Sequence, residues 1–71
     1  MSSDIVIRFG SRVRRIRTAK NINQTILSER VGTDQATISR IETGKQEPCL
    51  RFIELLADGL KVPLDEFFRE L

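Results

Sequence analysis

Apolar side chains recur every three or four residues in five stretches of the chain, which is the spacing of one helical face. The first stretch runs from Asp4 to Lys20 and carries Ile5, Phe9, Val13 and Ile16. Two short stretches follow, with Leu27, Val31, Ile38 and Ile41. The last two carry Leu50, Ile53, Leu56, Ala57 and Leu60, and then Leu64, Phe67, Phe68 and Leu71. Without strand alternation or an internal repeat, this pattern predicts a compact all-α domain of five helices.

Polar and flexible residues mark where these helices begin and end. The side-chain oxygens of Asn23 and Asp34 can accept a free backbone N–H, so we expect them to cap helices at about 24–31 and 35–43. Gly32 permits a tight turn between these two helices, and Gly44 ends the second of them. Gly59, inside the fourth predicted helix, costs about 1 kcal/mol relative to alanine, so we expect a close helix contact there.

Residues 24–43 therefore indicate a helix-turn-helix, in which the second helix lies in the DNA major groove. With Ile38 and Ile41 turned to the core, the outer side of that helix carries short or hydrogen-bonding side chains: Gln35, Ala36, Ser39, Arg40 and Thr43. Glutamine can pair with adenine and arginine with guanine through two hydrogen bonds each. The alternative is an ordinary polar helix face.

The net charge of +2 conceals an asymmetry along the chain. Residues 1–45 hold nine basic and four acidic side chains, a net charge of +5. Residues 46–71 hold three basic and six acidic side chains, a net charge of −3. A basic half beside an acidic half favours one surface for phosphate and another for a different partner. Scattered, solvated charge is the alternative.

The composition also limits the class of protein. Seventy-one residues make one domain, 1–71, which is small enough to be marginally stable alone. Cys49 is the single cysteine, which excludes an internal disulfide and fits a reducing compartment. No apolar run approaches the ~20 residues that span a bilayer, and the first residues lack the features of a signal peptide. We therefore expect a cytoplasmic protein that is stabilised by self-association.

An enzyme is not expected from this sequence. Histidine is absent, so the commonest general base is missing. One cysteine without a basic partner gives little basis for nucleophilic chemistry. The sequence has neither a glycine-rich phosphate loop nor a cluster with metal-ligand spacing. We accordingly expect no cofactor and no bound metal.

Taken together, these motifs resemble the Cro/phage-repressor type of helix-turn-helix domain. The resemblance is carried by Asn23-Gln24, Leu27-Ser28, Gly32, Ile38-Ser39-Arg40-Ile41-Glu42 and Gly44-Lys45. It continues through Pro48-Cys49-Leu50, Leu60-Lys61-Val62 and Leu64-Asp65-Glu66-Phe67-Phe68, so it covers roughly Phe9 to Phe68. The chain departs from the family pattern at Ser28 (usually Ala), at Cys49 (often a capping Ser or Thr) and at Ile26 (commonly charged).

The resemblance implies a five-helix, lambda-repressor-like fold that binds an inverted-repeat operator in double-stranded DNA as a homodimer and controls transcription. Gln35, Ala36 and Arg40 occupy the family's base-contacting positions, with Thr37 and Ser39 beside them. The positions that contact the DNA backbone are occupied by Gln24, Thr33, Thr43 and Lys45, and Asn23 is a further candidate. Arg17 and Glu42 resemble the structural ion pair that ties the first helix to the third in phage repressors.

Small stand-alone members of this family include restriction–modification controllers, Cro-like repressors and antitoxins. Because the chain ends soon after the fifth predicted helix, we expect no sensor domain and place a controller or small autoregulator first. The alternative is an antitoxin-type module that neutralises a partner toxin and autoregulates its operon. Repression and activation both stay open, and an activator would have RNA polymerase as a further partner.

The end of the chain is rich in apolar side chains for so small a domain. We expect residues of about 50–71 to form a two-fold dimer interface that includes Val62, Leu64, Phe67, Phe68 and Leu71. The alternative is that all five pack into the protein's own core.

Overall fold

The computed structural model describes residues 4–71, so residues 1–3 of the predicted domain lie outside the described part. Four α-helices follow one another: α1 Asp4–Ala19, α2 Gln24–Val31, α3 Gln35–Glu42 and α4 Leu50–Leu60. A single-turn 3-10 helix spans Leu64–Phe67. The all-α prediction and the first four helices are confirmed. Within the described residues, no helix is long and apolar enough to cross a membrane.

The predicted fifth, short helix is a 3-10 turn rather than an α-helix, so the count of five helices is not confirmed. Two carbonyl groups of this segment accept hydrogen bonds from a side chain of α1 rather than from a further helical turn. Nη1 of Arg12 donates to the carbonyl of Glu66 at 2.8 Å, and Nη2 donates to the carbonyl of Arg69 at 2.8 Å. A short apolar pattern predicts a helical turn, but so few residues cannot sustain an α-helix without further support.

The core lies where the four helices and the 3-10 helix meet. Its buried apolar side chains are Phe9, Val13, Leu27, Val31, Ile38, Ile41, Leu56, Ala57, Leu60 and Phe67. The rings of Phe9 and Phe67 meet edge to face with their centroids 5.3 Å apart, and Phe68 stacks on Phe9 at 5.6 Å. Aromatic pairs of this kind contribute about 0.5–1.5 kcal/mol beyond their burial. They fix the end of the chain against α1.

The helix ends follow the predicted capping. The side chain of Asn23 accepts a hydrogen bond from the backbone N–H of Ile26 at 2.8 Å, and Asp34 accepts one from Thr37 at 2.7 Å. Gly32 has a φ of 87°, in the left-handed region, and ends α2. Both predicted caps and the turn at Gly32 are confirmed. At Cys49 the side chain makes no capping hydrogen bond to α4.

Two glycines allow helices to touch. A Cβ atom on Gly10 would lie 2.1 Å from the carbonyl oxygen of Ile41, so α1 and α3 are in backbone contact at this point. A Cβ atom on Gly59 would lie 3.2 Å from Val31 and 3.3 Å from Leu27, which confirms the predicted close contact with α2. The contact at Gly10 was not predicted, and it fixes the depth at which α3 sits on the domain.

Candidate nucleic-acid interface

Helix α3 has one face in the core and one face in solvent. Ile38 and Ile41 are 0% and 1% exposed and anchor the inner face. On the outer face Gln35, Ala36 and Arg40 are exposed, and Thr37 and Ser39 are half-buried. The five residues that the sequence places at base-contacting positions are therefore on or beside the free side of the helix. A face of this shape can enter a groove without unpacking the domain.

A buried ion pair fixes α3 to α1. Nε of Arg17 lies 2.7 Å from Oε2 of Glu42, and Nη2 lies 2.9 Å from Oε1. The Arg17 side chain is 9% exposed and that of Glu42 only 1%. Nη1 of Arg17 also donates to the carbonyl of Ile22 at 2.8 Å. The hydrogen bonds to Glu42, and then its charge, raise the pKa of Arg17 above its usual value, so the guanidinium stays charged.

The first residue of α2 connects this pair to the outer face of α3. Nε2 of Gln24 donates to Oε1 of Glu42 at 2.9 Å. Oε1 of Gln24 in turn accepts a hydrogen bond from Nε2 of Gln35. Gln24 is half-buried, and its side chain is held at the point where α2 begins. The network therefore gives Gln35, the first residue of α3, a defined orientation.

The other predicted DNA-backbone contacts lie before α2 and on both sides of α3. Asn23 and Thr33 precede the two helices, and Asn23 uses its side-chain oxygen to cap α2. Thr43 and Lys45 follow α3 and are exposed. The Thr43 hydroxyl donates to the carbonyl of Ser39 at 2.8 Å. These residues bracket the outer face of α3 in sequence, as phosphate contacts on either side of a groove would require.

Arg40 is held by two neighbouring side chains. Its Nε donates to Oε1 of Gln46 at 2.9 Å, and its Nη2 donates to Oγ1 of Thr37 at 3.1 Å. Gln46 was not among the predicted site residues. The only signal was its place two residues after Gly44, where a helix-ending turn can bring the chain back beside α3.

The N-cap of α3 belongs to the same cluster. The hydroxyl of Thr37, and then its backbone N–H, stabilise the ionised carboxylate of Asp34 and lower its pKa below the usual value. The nearby charge of Arg40 acts in the same direction. A charged cap is thus maintained at the N-terminus of α3 at neutral pH.

The residues predicted for the dimer interface lie in different environments. Phe67 is 0% exposed, so it belongs to the core and has no surface to offer a partner. Val62 and Leu71 are half-buried and pack against the core. Leu64 and Phe68 are each 43% exposed, and Leu50, which lies in the predicted region but is not one of the five named residues, is 76% exposed. Leu50 and Leu64 line one shallow hollow together with Arg51 and Glu54.

The described residues show no other arrangement that suggests chemistry. Residues 4–71 contain no group of three His, Cys, Asp or Glu side chains placed to hold a metal ion. Within the same range, every buried side-chain nitrogen and oxygen has a hydrogen-bond partner. The polar atoms available to a ligand are therefore those of the surface.

The chain resembles known proteins over most of its length. The chain matches the Helix-turn-helix family over residues 13–67, a range that contains α2, α3 and the turn between them. It is similar to control protein C.MunI of a Mycoplasma species, with 31% identity over 70 residues, 97% of this chain and 95% of that protein.

Two solved structures have the same fold. The restriction–modification controller protein C.AhdI from Aeromonas hydrophila gives a TM-score of 0.87 at 33% identity, over 89% of this chain and 96% of that one. The controller protein C.Esp1396I, solved as a tetramer in complex with its natural 35 base-pair operator, gives a TM-score of 0.89 at 26% identity. That match covers 96% of this chain and 90% of the C.Esp1396I chain.

Proposed function

The chain belongs to the Helix-turn-helix family of DNA-binding transcriptional regulators, and we propose that it acts as a restriction–modification controller. In this role it binds an operator near its own gene and sets the expression of the genes beside it. This is supported by the match to the control protein C.MunI over 97% of this chain and to the restriction–modification controller protein C.AhdI over 89% of it. The antitoxin alternative has no support from these relatives.

The observation that carries the proposal is the two-sided character of α3. Its inner face is sealed by Ile38 and Ile41, while Gln35, Ala36 and Arg40 face solvent. In our proposal Gln35 and Arg40 pair with base edges in the major groove, and Ala36 contacts a thymine methyl group. Thr37 and Ser39 lie beside them. If the outer face had packed against the protein's own interior, no base could be read by this helix.

The residues around α3 provide the sequence-independent part of binding. Asn23, Gln24 and Thr33 precede the helices of the motif, and Thr43 and Lys45 follow α3. We assign them to DNA phosphates, which set the register of the helix in the groove. Gln24 suits this role because its side chain is already fixed by Glu42 at the start of α2.

We further propose that the chain acts as a symmetric dimer. Leu50, Leu64 and Phe68 are exposed apolar side chains at the start of α4 and around the 3-10 helix. A two-fold contact through them would set two α3 helices about 34 Å apart, one turn of DNA, on an inverted-repeat operator. The C.Esp1396I complex, a tetramer on its operator, is a related assembly.

The proposal is tested with the DNA that lies immediately upstream of the chain's own gene. A labelled duplex of that region should be bound far more tightly than a scrambled duplex of equal length and composition. Because phosphate contacts release counterions, the logarithm of the binding constant should fall steeply and linearly with the logarithm of the salt concentration. Equal affinity for both duplexes at every salt concentration would contradict sequence-specific binding. Binding at a near-palindrome with two protomers per site would support the dimer.

A further inference from the structure

We propose that Gln46 is a specificity-determining positioning residue, which holds the guanidinium of Arg40 so that its far edge reads a guanine. The inference rests on the proposed function, in which Arg40 enters the major groove. Gln46 itself lies outside the recognition helix, in the loop between α3 and α4. It would influence the sequence preference by positioning the side chain of Arg40, without contacting a base itself.

The hydrogen bonds of Arg40 leave only one of its two paired edges available. A guanidinium can offer two parallel N–H groups from its side edge, Nε with Nη2, or from its end, Nη1 with Nη2. In this chain Nε donates to Gln46 at 2.9 Å, so the side edge is occupied. Thr37 accepts one hydrogen bond from Nη2. Among the described residues 4–71, Nη1 donates to no partner and Nη2 donates only to Thr37, so the end of the guanidinium can still meet a ligand.

The edge that remains matches guanine and not adenine. Guanine presents two neighbouring acceptors, O6 and N7, in the major groove. Adenine presents one acceptor and one donor there, so two parallel N–H groups cannot both be satisfied. An arginine fixed end-on therefore selects guanine, whereas an arginine that swings freely can also reach phosphates. The preference at this base pair therefore depends on holding the guanidinium in one position, which is what the hydrogen bonds to Gln46 and Thr37 do.

The backbone of the loop keeps Gln46 in position. The N–H groups of Lys45 and Gln46 both donate to the carbonyl of Arg40, at 2.8 Å and 3.2 Å. This turn of the backbone requires Gly44, whose φ of 76° lies in the left-handed region. A Cβ on Gly44 would also lie 2.8 Å from Cγ1 of Ile7, so the turn is tight against α1. Gln46 is therefore anchored to the same residue whose side chain it holds.

Holding Arg40 before DNA arrives also lowers the cost of binding. A long arginine side chain has much rotamer freedom, and losing that freedom at the interface opposes association. Part of this loss has already occurred in the free protein when Gln46 and Thr37 hold the guanidinium. Removal of Gln46 should then weaken binding to the cognate site more than binding to random DNA.

The test is a selection of bound duplexes from a random-sequence double-stranded DNA pool, followed by sequencing. The wild-type chain, Arg40→Ala, Gln46→Ala, Gln46→Glu and Lys45→Ala are compared. We expect Arg40→Ala to abolish a guanine preference at one position of each half-site. Gln46→Ala should lower the same preference about two- to tenfold, the value of one neutral hydrogen bond. Gln46→Glu keeps an acceptor at the same place and should retain the preference, although its charge weakens binding overall.

Two controls separate this role from a general loss of binding or of folding. Lys45→Ala should weaken all sequences alike and leave the guanine preference unchanged. In an Arg40→Ala background, Gln46→Ala should have no further effect on preference, because the side chain that it positions is gone. Thermal unfolding of Gln46→Ala should match the wild-type chain closely, since the hydrogen bond that is lost is exposed to solvent.

The outcomes that overturn the inference are distinct from failure of the proposed function. If Arg40→Ala removes the preference and Gln46→Ala keeps it, Arg40 reads the base without help from Gln46. If Gln46→Ala tightens cognate binding, the contact restrains Arg40 from DNA instead. If the wild-type chain selects a guanine that Arg40→Ala also selects, Arg40 does not read it, and both the base assignment and the inference are wrong. If the wild-type chain selects no sequence at all, the proposed function fails as well.

Discussion

The buried pair of Arg17 and Glu42 gives the sharpest prediction for stability. Replacement Arg17→Ala removes two hydrogen bonds to the Glu42 carboxylate and one to the carbonyl of Ile22. The Glu42 side chain is 1% exposed, so water cannot take the place of the guanidinium without a rearrangement. Among the described residues, Gln24 alone still donates to the carboxylate. The variant thus contains a nearly uncompensated buried charge.

The expected loss is large for a domain of this size. Breaking a buried pair by removing one partner costs about 3–5 kcal/mol, and the remaining bond from Gln24 places this case near the lower end. A domain of 71 residues has about 4–11 kcal/mol of stability in total. At about 4–8 °C per kcal/mol, a loss of ~3 kcal/mol lowers Tm by about 12–24 °C.

The assay is urea and thermal unfolding followed by circular dichroism at fixed protein concentration, because the proposed dimerisation would couple stability to concentration. Arg14→Ala is the matched control: it removes an exposed arginine from the same helix and should change stability by no more than about 0.5 kcal/mol. The double replacement Arg17→Met with Glu42→Leu should be less destabilised than Arg17→Ala, because no charge is left buried.

One result would refute this reasoning. If Arg17→Ala unfolds at the same temperature as Arg14→Ala while DNA binding falls, Arg17 acts as a phosphate contact. Its ion pair would then be an incidental feature of the free protein.

Four further predictions follow from individual contacts. Arg40→Ala should cost ~1–3 kcal/mol on the cognate site and relax preference at one base pair, whereas Lys45→Ala should weaken all sequences and reduce the salt slope by about 1, both measured by fluorescence anisotropy. Leu64→Asp should shift the chain to a monomer in sedimentation velocity while its helical content is kept, and an unchanged sedimentation coefficient would exclude this residue from the interface. Gly10→Ala should destabilise the domain by about 1–3 kcal/mol or more in urea unfolding, because the new methyl group collides with the Ile41 carbonyl. This carbonyl is part of the α3 backbone, so the clash can be relieved only if the helix shifts. The pKa of Asp34 is lowered in the folded state, so its contribution to stability is complete above the ordinary aspartate pKa and is lost as the pH falls through the folded-state pKa. Between about pH 5 and pH 2, the Tm of Asp34→Asn should therefore fall less than the Tm of the wild type.

The sequence predicts the first four helices well because two independent signals agree there. Apolar spacing marks the inner face of each helix, and Asn23, Asp34 and Gly32 mark the boundaries of α2 and α3. Ile38 and Ile41 lie in the core as the spacing requires, and this alone turns Gln35 and Arg40 outward. The candidate interface could therefore be located without coordinates.

Other features depend on contacts between distant parts of the chain. The pattern from Leu64 to Phe68 is the same for an α-helix and for a 3-10 turn, and the hydrogen bonds from Arg12 decide between them. Apolar character also does not separate core from exposed surface, so Phe67 and Leu64 look alike in sequence although only Leu64 is exposed. The hydrogen bond between Gln46 and Arg40 depends on the path of the loop after α3, which residue types alone do not specify.

The strict division of α3 into an inner and an outer side has an evolutionary consequence. The residues that hold this helix in place, Ile38, Ile41 and Glu42, are all buried, and Gln35, Ala36 and Arg40 contribute nothing to the core. If the outer residues read bases as proposed, their exchange can give new operator preferences while the fold is preserved. A scaffold of this kind lets a regulator and its binding site diverge together in small steps, and the same property makes the domain suitable for retargeting by design.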